Sequence, residues 1–259
     1  MTRVPNVDLG WSTSLPLVGG YAARALCNRF RDLPATIPHY FDFGNDRILV
    51  GDSLLSAASW EALRRTATPF GIPQDRQEWK ALIQRSDLKG RARRIASIAN
   101  EIGATRIASY GVGACGVEWH LKHEAPEIAL TCTDYTPESV ELLRHHFPEA
   151  QFIRHDLLVD PPLFADLHLF HRIDTEFDRR QWAAIFERFQ DPILVVATGL
   201  LDWPHYVVER AMRRNPNATF SGYVRNRGAF RALWAKTHDS TELEVYDLPA
   251  FRLTRRSRS

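Results

Sequence analysis

The sequence predicts an α/β fold built on a mostly parallel sheet, and three observations carry that reading. From Asp87 onward, short apolar segments alternate with amphipathic helical segments. Pro192-Ile-Leu-Val-Val-Ala197 is a continuous apolar run, the pattern of a central strand covered on both faces. A glycine-rich turn, Gly111-Val-Gly113-Ala-Cys-Gly116, falls between a predicted strand and a predicted helix.

Composition sets the outer bounds. The chain has 259 residues, 44% hydrophobic and 25% charged, which are ordinary globular values. That excludes a disordered tail, a collagen-like fibre and a disulfide-dense mini-scaffold. The formal charge of +2 gives no strong field for a nucleic acid or an anionic membrane. No apolar run approaches the roughly 18 residues a membrane helix needs, and the first residues lack the apolar stretch of a secretory signal. Three cysteines, Cys27, Cys115 and Cys132, make no C-x-x-C pair. The expectation is a soluble cytoplasmic protein without a metal site.

Residues 1–86 differ in pattern from the rest of the chain. Loop signals recur at Gly19-Gly20, Pro34, Pro38, Gly44-Asn45, Pro69, Gly71 and Pro73. Between them the pattern predicts helices over 21–30, 53–66 and 74–84, and a short hairpin from 39–43 and 47–50. This region reads as a mainly helical lid.

The core is predicted over 87–253, followed by a basic tail at 254–259. Asp87 is a plausible N-cap, and Ile95, Ile98, Ala99 and Ile102 share one helical face, with Gly103 placed as a C′ glycine. Strands are predicted over 106–110, 128–133, 151–155, 166–170 and 192–197. Helices are predicted over 117–123, from Pro137 after the cap residue Thr136, around Trp182 to Phe189, and over 204–214. The end reads as strand 218–224, helix 228–236 and strand 242–253. His145-His146 reads as a solvated helix face, and the terminal arginines as a frayed end.

The chemistry concentrates at strand ends. Glycines between a strand and a helix permit a tight turn and close backbone approach to a ligand. Asp134 ends the next strand and Asp156 the one after. Glycine turn, acid and acid thus stand on one edge of the sheet, where open α/β folds bind ligands. A ligand-free turn with two capping aspartates is the plainer alternative.

These residues resemble class I S-adenosylmethionine-dependent methyltransferases, over roughly 89–253. The resemblance implies a Rossmann-like sheet with an antiparallel last strand. It implies S-adenosyl-L-methionine as cofactor, with Tyr110, Gly111 and Gly113 beside its methionine part. Asp134 and Tyr135 would meet the ribose, Asp156 and Leu157 the adenine side. His171 and Arg172 would lie by the cofactor and open toward the substrate. Ser109 departs from the family, which often carries an acid two residues before the first glycine.

The candidate catalytic residues follow the fourth and fifth strands of the core: His171 and His205 could take a proton from an acceptor hydroxyl, Asp174 and Glu176 could orient a histidine or bind a polar acceptor, and Asp202 lies nearby. Asp160-Pro161-Pro162-Leu163 resembles the box of amine-directed nucleic-acid methyltransferases but precedes the fourth strand, so it reads as a loop. The expectation is methyl transfer to a small-molecule or carbohydrate acceptor at a hydroxyl oxygen, with no nucleic-acid partner. The oligomeric state is left open. Two alternatives stand beside it. One is a non-catalytic relative that binds the cofactor or a partner, which Ser109 motivates. The other is an NAD(P)-dependent oxidoreductase, which a GxGxxG turn with a later acid also fits.

Overall fold

A computed structural model describes residues 36–39, 57–65, 71–198 and 222–257. The predicted helices over 21–30 and 204–214 lie outside these residues, as do most of the predicted 39–50 hairpin, His205 and Asp202.

The described chain opens with strand β1 (Thr36–His39) and helices α1 (Ala57–Arg64), α2 (Arg76–Ile83) and α3 (Ser86–Glu101). Then come β2 (Arg106–Tyr110), α4 (Gly116–Glu124), β3 (Ala129–Asp134), α5 (Pro137–His146) and β4 (Gln151–Arg154). The order continues with β5 (Leu167–His171), α6 (Arg179–Arg188) and β6 (Ile193–Val196). The last elements are β7 (Gly222–Arg225), α7 (Arg227–Arg231), β8 (His238–Val245) and β9 (Leu248–Arg255).

Seven strands form one sheet in the order β4-β3-β2-β5-β6-β9-β8. The pairs β2–β3, β3–β4, β2–β5 and β5–β6 are parallel. Strand β9 runs antiparallel to β6 and to β8. The predicted mostly parallel sheet with an antiparallel last strand is therefore present. From β2 the chain builds outward through β3 to β4, then returns to β5 on the other side. That reversal opens a crevice between the carboxyl ends of β2 and β5, the place where such sheets bind ligands.

Both faces of the sheet are covered, which explains the apolar runs. In β6, Leu194 and Val196 join the cluster under α2 to α5, whereas Ile193 and Val195 join the aromatic cluster under α6 and α7. In β2, Ile107 faces the first cluster, and Ala108 and Tyr110 the second. The period of two puts Ser109 on the α4 face.

Several boundaries differ from the sequence reading. Helix α3 starts one residue before Asp87, with Arg85 at its N-cap, and Asp87 binds Arg85 and Arg91 from the first turn. Asp75 caps α2, accepting from the N–H groups of Gln77 and Glu78 at 2.8 and 2.9 Å. The predicted strand 242–253 is a hairpin, β8 and β9, whose turn holds Tyr246 at φ 60°. The predicted strand 218–224 appears as β7 and leaves the main sheet to pair antiparallel with β1. Pro38, read as a loop signal, sits in β1, which among the described residues pairs with β7 alone, an arrangement in which a missing N–H costs little. The helix read over 228–236 ends at Arg231.

Two surface readings fail as well. His146 is buried, stacked on Trp79 at 5.3 Å with Nε2 2.9 Å from the Pro73 carbonyl. Strand β9 continues through Thr254 to Arg255, which donates to the Phe186 carbonyl, and Arg256 pairs with Asp239. The span 71–86 also belongs with the core. Trp79 is fully buried and donates from Nε1 to the Ala114 carbonyl at 2.9 Å, and His120 Nε2 lies 2.9 Å from the Ile83 carbonyl. Helix α2 is thereby fastened to the glycine-rich turn itself.

Gly103 ends α3 at φ +68° with nothing within 4 Å of where a Cβ would lie. Its replacement by alanine meets no atom and costs only the left-handed strain, about 1 kcal/mol. A fall of about 2–4 °C in the midpoint of thermal unfolding is expected; an unchanged midpoint would refute it. Among the described residues, no helix is long and apolar enough to cross a membrane.

Candidate functional site

The site is built on the carboxyl ends of β2 to β5. After Tyr110 the backbone enters a tight turn with Gly111, Gly113 and Cys115 all at positive φ, 65°, 58° and 62°. Glycine is required at the first of these for a second reason. A Cβ at Gly111 would stand 2.7 Å from Cγ2 of Ile173, on the far side of the crevice. The turn is tied to its neighbour by Val112 N–H, which donates to the Thr133 carbonyl at 3.0 Å. Cys115 in the left-handed region caps α4, so that the helix begins at Gly116.

Asp134 closes β3 and is 4% exposed. Its Oδ1 accepts from Thr136 N–H at 3.0 Å and from the Thr136 hydroxyl at 2.8 Å. Thr136, the N-cap of α5, thus works with Asp134, and the side-chain cap bond expected of it is absent. Oδ2 faces the Arg64 guanidinium at 3.5 Å. A carboxylate has about four acceptor positions, so Oδ2 keeps capacity for a ligand hydroxyl. Tyr135 follows, half-buried.

Asp156 accepts Leu158 N–H on Oδ1 at 2.8 Å, and its own N–H donates to Asp160 Oδ2 at 2.8 Å. Asp156 is therefore a turn former as well as a strand-end acid. Asp160 and the two prolines after it lie in the loop before β5, as read from the sequence. Leu157 is 8% exposed and packs into the second cluster. Tyr110 offers the site its backbone only. Its ring is buried, and its hydroxyl meets Leu163 N–H at 3.1 Å and His168 Nδ1 at 3.2 Å.

Beyond the crevice, β5 ends at His171, followed by Arg172 at φ 64°. Arg172 N–H donates to the Val196 carbonyl at 2.9 Å, which leaves its exposed side chain at the edge. His171 is half-buried, and its Nε2 is a buried atom without a hydrogen-bond partner. Burial, then the charges of Arg172 and Arg91, hold the imidazole well below its ordinary range, so it stays neutral. Asp174 is 1% exposed, and its Oδ1 accepts from Thr198 N–H at 2.9 Å and the Thr198 hydroxyl at 3.2 Å. That carboxylate ties the β5 loop to the end of β6. Glu176 is half-buried, and burial together with Asp174 and Asp134 raises its carboxyl to about 8, against the field of Arg64.

Two residues were missed by sequence reasoning. Arg64, from α1, reaches across to the glycine turn. Its guanidinium nitrogens stand 3.6 and 3.7 Å from where a Gly113 Cβ would lie, and the group packs over the Trp60 ring at 4.9 Å. Glu118, in the first turn of α4, is 1% exposed and accepts the Ser109 hydroxyl at 2.7 Å. A carboxyl group is therefore present beside position 109, brought by the helix instead of the strand.

No family model matches the sequence, and no curated protein matches it significantly. Solved structures do match the fold. Human N-acetylserotonin methyltransferase, solved with S-adenosylmethionine, superposes with a TM-score of 0.60 at 17% identity, over 92% of this chain and 66% of that one. An O-methyltransferase from neocarzinostatin biosynthesis, solved with S-adenosyl-L-homocysteine and 1,4-dihydroxy-2-naphthoic acid, gives 0.51 at 16% identity, over 62% of this chain and 52% of that one. A protein from Pyrococcus horikoshii gives 0.51 at 12% identity, over 75% of this chain and 99% of that one. The chain thus spans 66% and 52% of the two methyltransferase chains. The chain has the fold of the S-adenosylmethionine-dependent methyltransferases.

Proposed function

We propose that this protein transfers the methyl group of S-adenosyl-L-methionine to a hydroxyl oxygen of a small acceptor. One observation carries the reading. Three successive strand ends of a methyltransferase-type sheet present a positive-φ glycine turn, Asp134 and Asp156 along one edge, beside the crevice at β2 and β5.

The residues present fit such a cofactor. Gly111 and Gly113 give the turn its positive φ, Asp134 Oδ2 keeps acceptor capacity for a ribose hydroxyl, and Asp156 with Leu157 stands one strand further along. When bound, the cofactor supplies an electrophilic methyl on a sulfonium. The chain's own task is to align the acceptor and hold its proton. His171 is the candidate for the second task by its place at the end of β5 and its unpartnered Nε2, although the burial and arginine charges that lower its pKa weaken it as a base, so it calls for an acidic, phenol-like hydroxyl. Asp174 supports the loop behind it. The hydroxyl acceptor is favoured by the likeness to O-methyltransferases, one of which was solved with a dihydroxynaphthoic acid.

Isothermal calorimetry with S-adenosylhomocysteine and, separately, NAD(H) tests the reading. Binding of the first and not the second is expected. No heat at millimolar S-adenosylhomocysteine, or binding of NAD(H) alone, would overturn it. Transfer of label from methyl-labelled cofactor to a phenolic acceptor then separates an enzyme from a non-catalytic binder.

A further inference from the structure

The described site is dominated by acids. Asp134, Asp174 and Glu176 surround the crevice, and Glu118 lies beneath the turn. A ligand with an amino-acid arm carries a carboxylate as well as an ammonium, and a carboxylate brought beside Asp134 is held only where a cation meets it. Arg64 is the cation that α1 delivers to this place. Its guanidinium lies against Gly113 and within 3.5 Å of Asp134, and its field is felt at Glu176. Helix α1 is in turn held to α5 by Arg65, whose guanidinium binds both oxygens of Glu138. Ile72 N–H donates to the Arg64 carbonyl at 2.8 Å, which fixes the end of the helix.

We propose that Arg64 binds the amino-acid carboxylate of the cofactor, through its planar fork, at the glycine turn. This rests on the reading of the site as an S-adenosylmethionine site. A ribose on Asp134 and an amino-acid arm running along the turn at Gly111 and Gly113 bring the carboxylate within the sweep of a long, flexible side chain. Arg64 then turns from the 3.5 Å contact with Asp134 to a shorter, charge-assisted pair with the ligand. On this view α1 completes the cofactor site, and the segment before the sheet is part of the binding machinery.

The test compares two ligands on three proteins. S-adenosylhomocysteine has the amino-acid arm; 5′-methylthioadenosine has the same nucleoside and thioether without it. Calorimetry of the wild-type chain, Arg64→Met and Arg64→Lys gives six affinities. Arg64→Met is expected to weaken S-adenosylhomocysteine by about ten- to hundredfold and to leave methylthioadenosine within about twofold, which also shows that the variant is folded. Arg64→Lys keeps the charge and loses the fork, so it should fall between. Equal weakening of both ligands overturns the proposal and makes Arg64 a structural residue. Tightening of both overturns it too, and makes Arg64 a competitor for the ribose place. If wild type binds methylthioadenosine as tightly as S-adenosylhomocysteine, the carboxylate assignment fails while the cofactor reading stands. If wild type binds neither, the cofactor reading itself fails.

Discussion

Asp134→Ala is expected to weaken S-adenosylhomocysteine binding by about a hundredfold or more. Each hydrogen bond from a hydroxyl to a carboxylate is worth roughly 1.5–3 kcal/mol, and a ribose has two hydroxyls to give. The carboxylate is well placed for this, because Thr136 N–H and hydroxyl fix Oδ1 at 3.0 and 2.8 Å while Oδ2 has only the long 3.5 Å contact with Arg64. The same contacts complicate the experiment. Removing Asp134 strips Thr136 of its acceptor and leaves the mostly buried Arg64 without this carboxylate, so some stability is lost as well. Asp134→Asn is the control. It keeps an oxygen for Thr136 and removes the charge, and its affinity should fall between wild type and alanine. Calorimetry beside thermal unfolding separates the two effects. A folded alanine variant with wild-type affinity would remove Asp134 from the site and, with it, the ribose assignment.

Much of the candidate site's placement is visible in the sequence for a physical reason. The glycine turn, Asp134 and Asp156 all follow strands of unmistakable pattern, and strand ends of a parallel sheet share one edge by construction. The core helices are equally visible where an apolar stripe recurs at helical spacing, as in α5 and α6. What is hidden depends on contacts between distant residues. Arg64 lies 70 residues before Asp134, and one arginine on a short helix says nothing about what it will face. His146 reads as solvated beside Arg144, and only the approach of Trp79 from α2 buries it. The β8–β9 turn carries no glycine or proline, so Tyr246 in the left-handed region leaves no mark, and two strands read as one. Strand β7 has the composition of a sheet strand, and nothing local tells it to pair with β1 instead. Glu118 is the sharpest case. An acid in the first turn of a helix ordinarily faces water and favours the helix dipole, yet here α4 turns it inward against Ser109.

That inward turn has a consequence for stability that is large enough to measure. Burial drives the Glu118 carboxyl from its ordinary 4.5 up to about 7, against the Ser109 hydroxyl, its own backbone N–H and the Cys115 thiol, which favour the charged form. The folded protein therefore holds this proton more tightly than the unfolded chain does. The contribution is fully present below pH 4.5 and is lost as pH rises through about 7. Over that window the loss amounts to about 3 kcal/mol. Glu118→Gln keeps the shape and an acceptor for Ser109 but never ionises. Relative to wild type, the glutamine variant should gain only about 1 kcal/mol by pH 5 and about 3 kcal/mol by pH 8 from this ionisation. Urea unfolding of both proteins at the two pH values gives the difference directly, and every other titrating group, including Asp134 and Glu176, cancels in the comparison unless it touches Glu118. Parallel stabilities across the range would mean that water or a rearranged α4 solvates the carboxylate, and Glu118 would then be no acid beneath the glycine turn. A widening gap would show that the fold carries a buried carboxyl there at a cost, the expected signature of a group retained for the site rather than for stability.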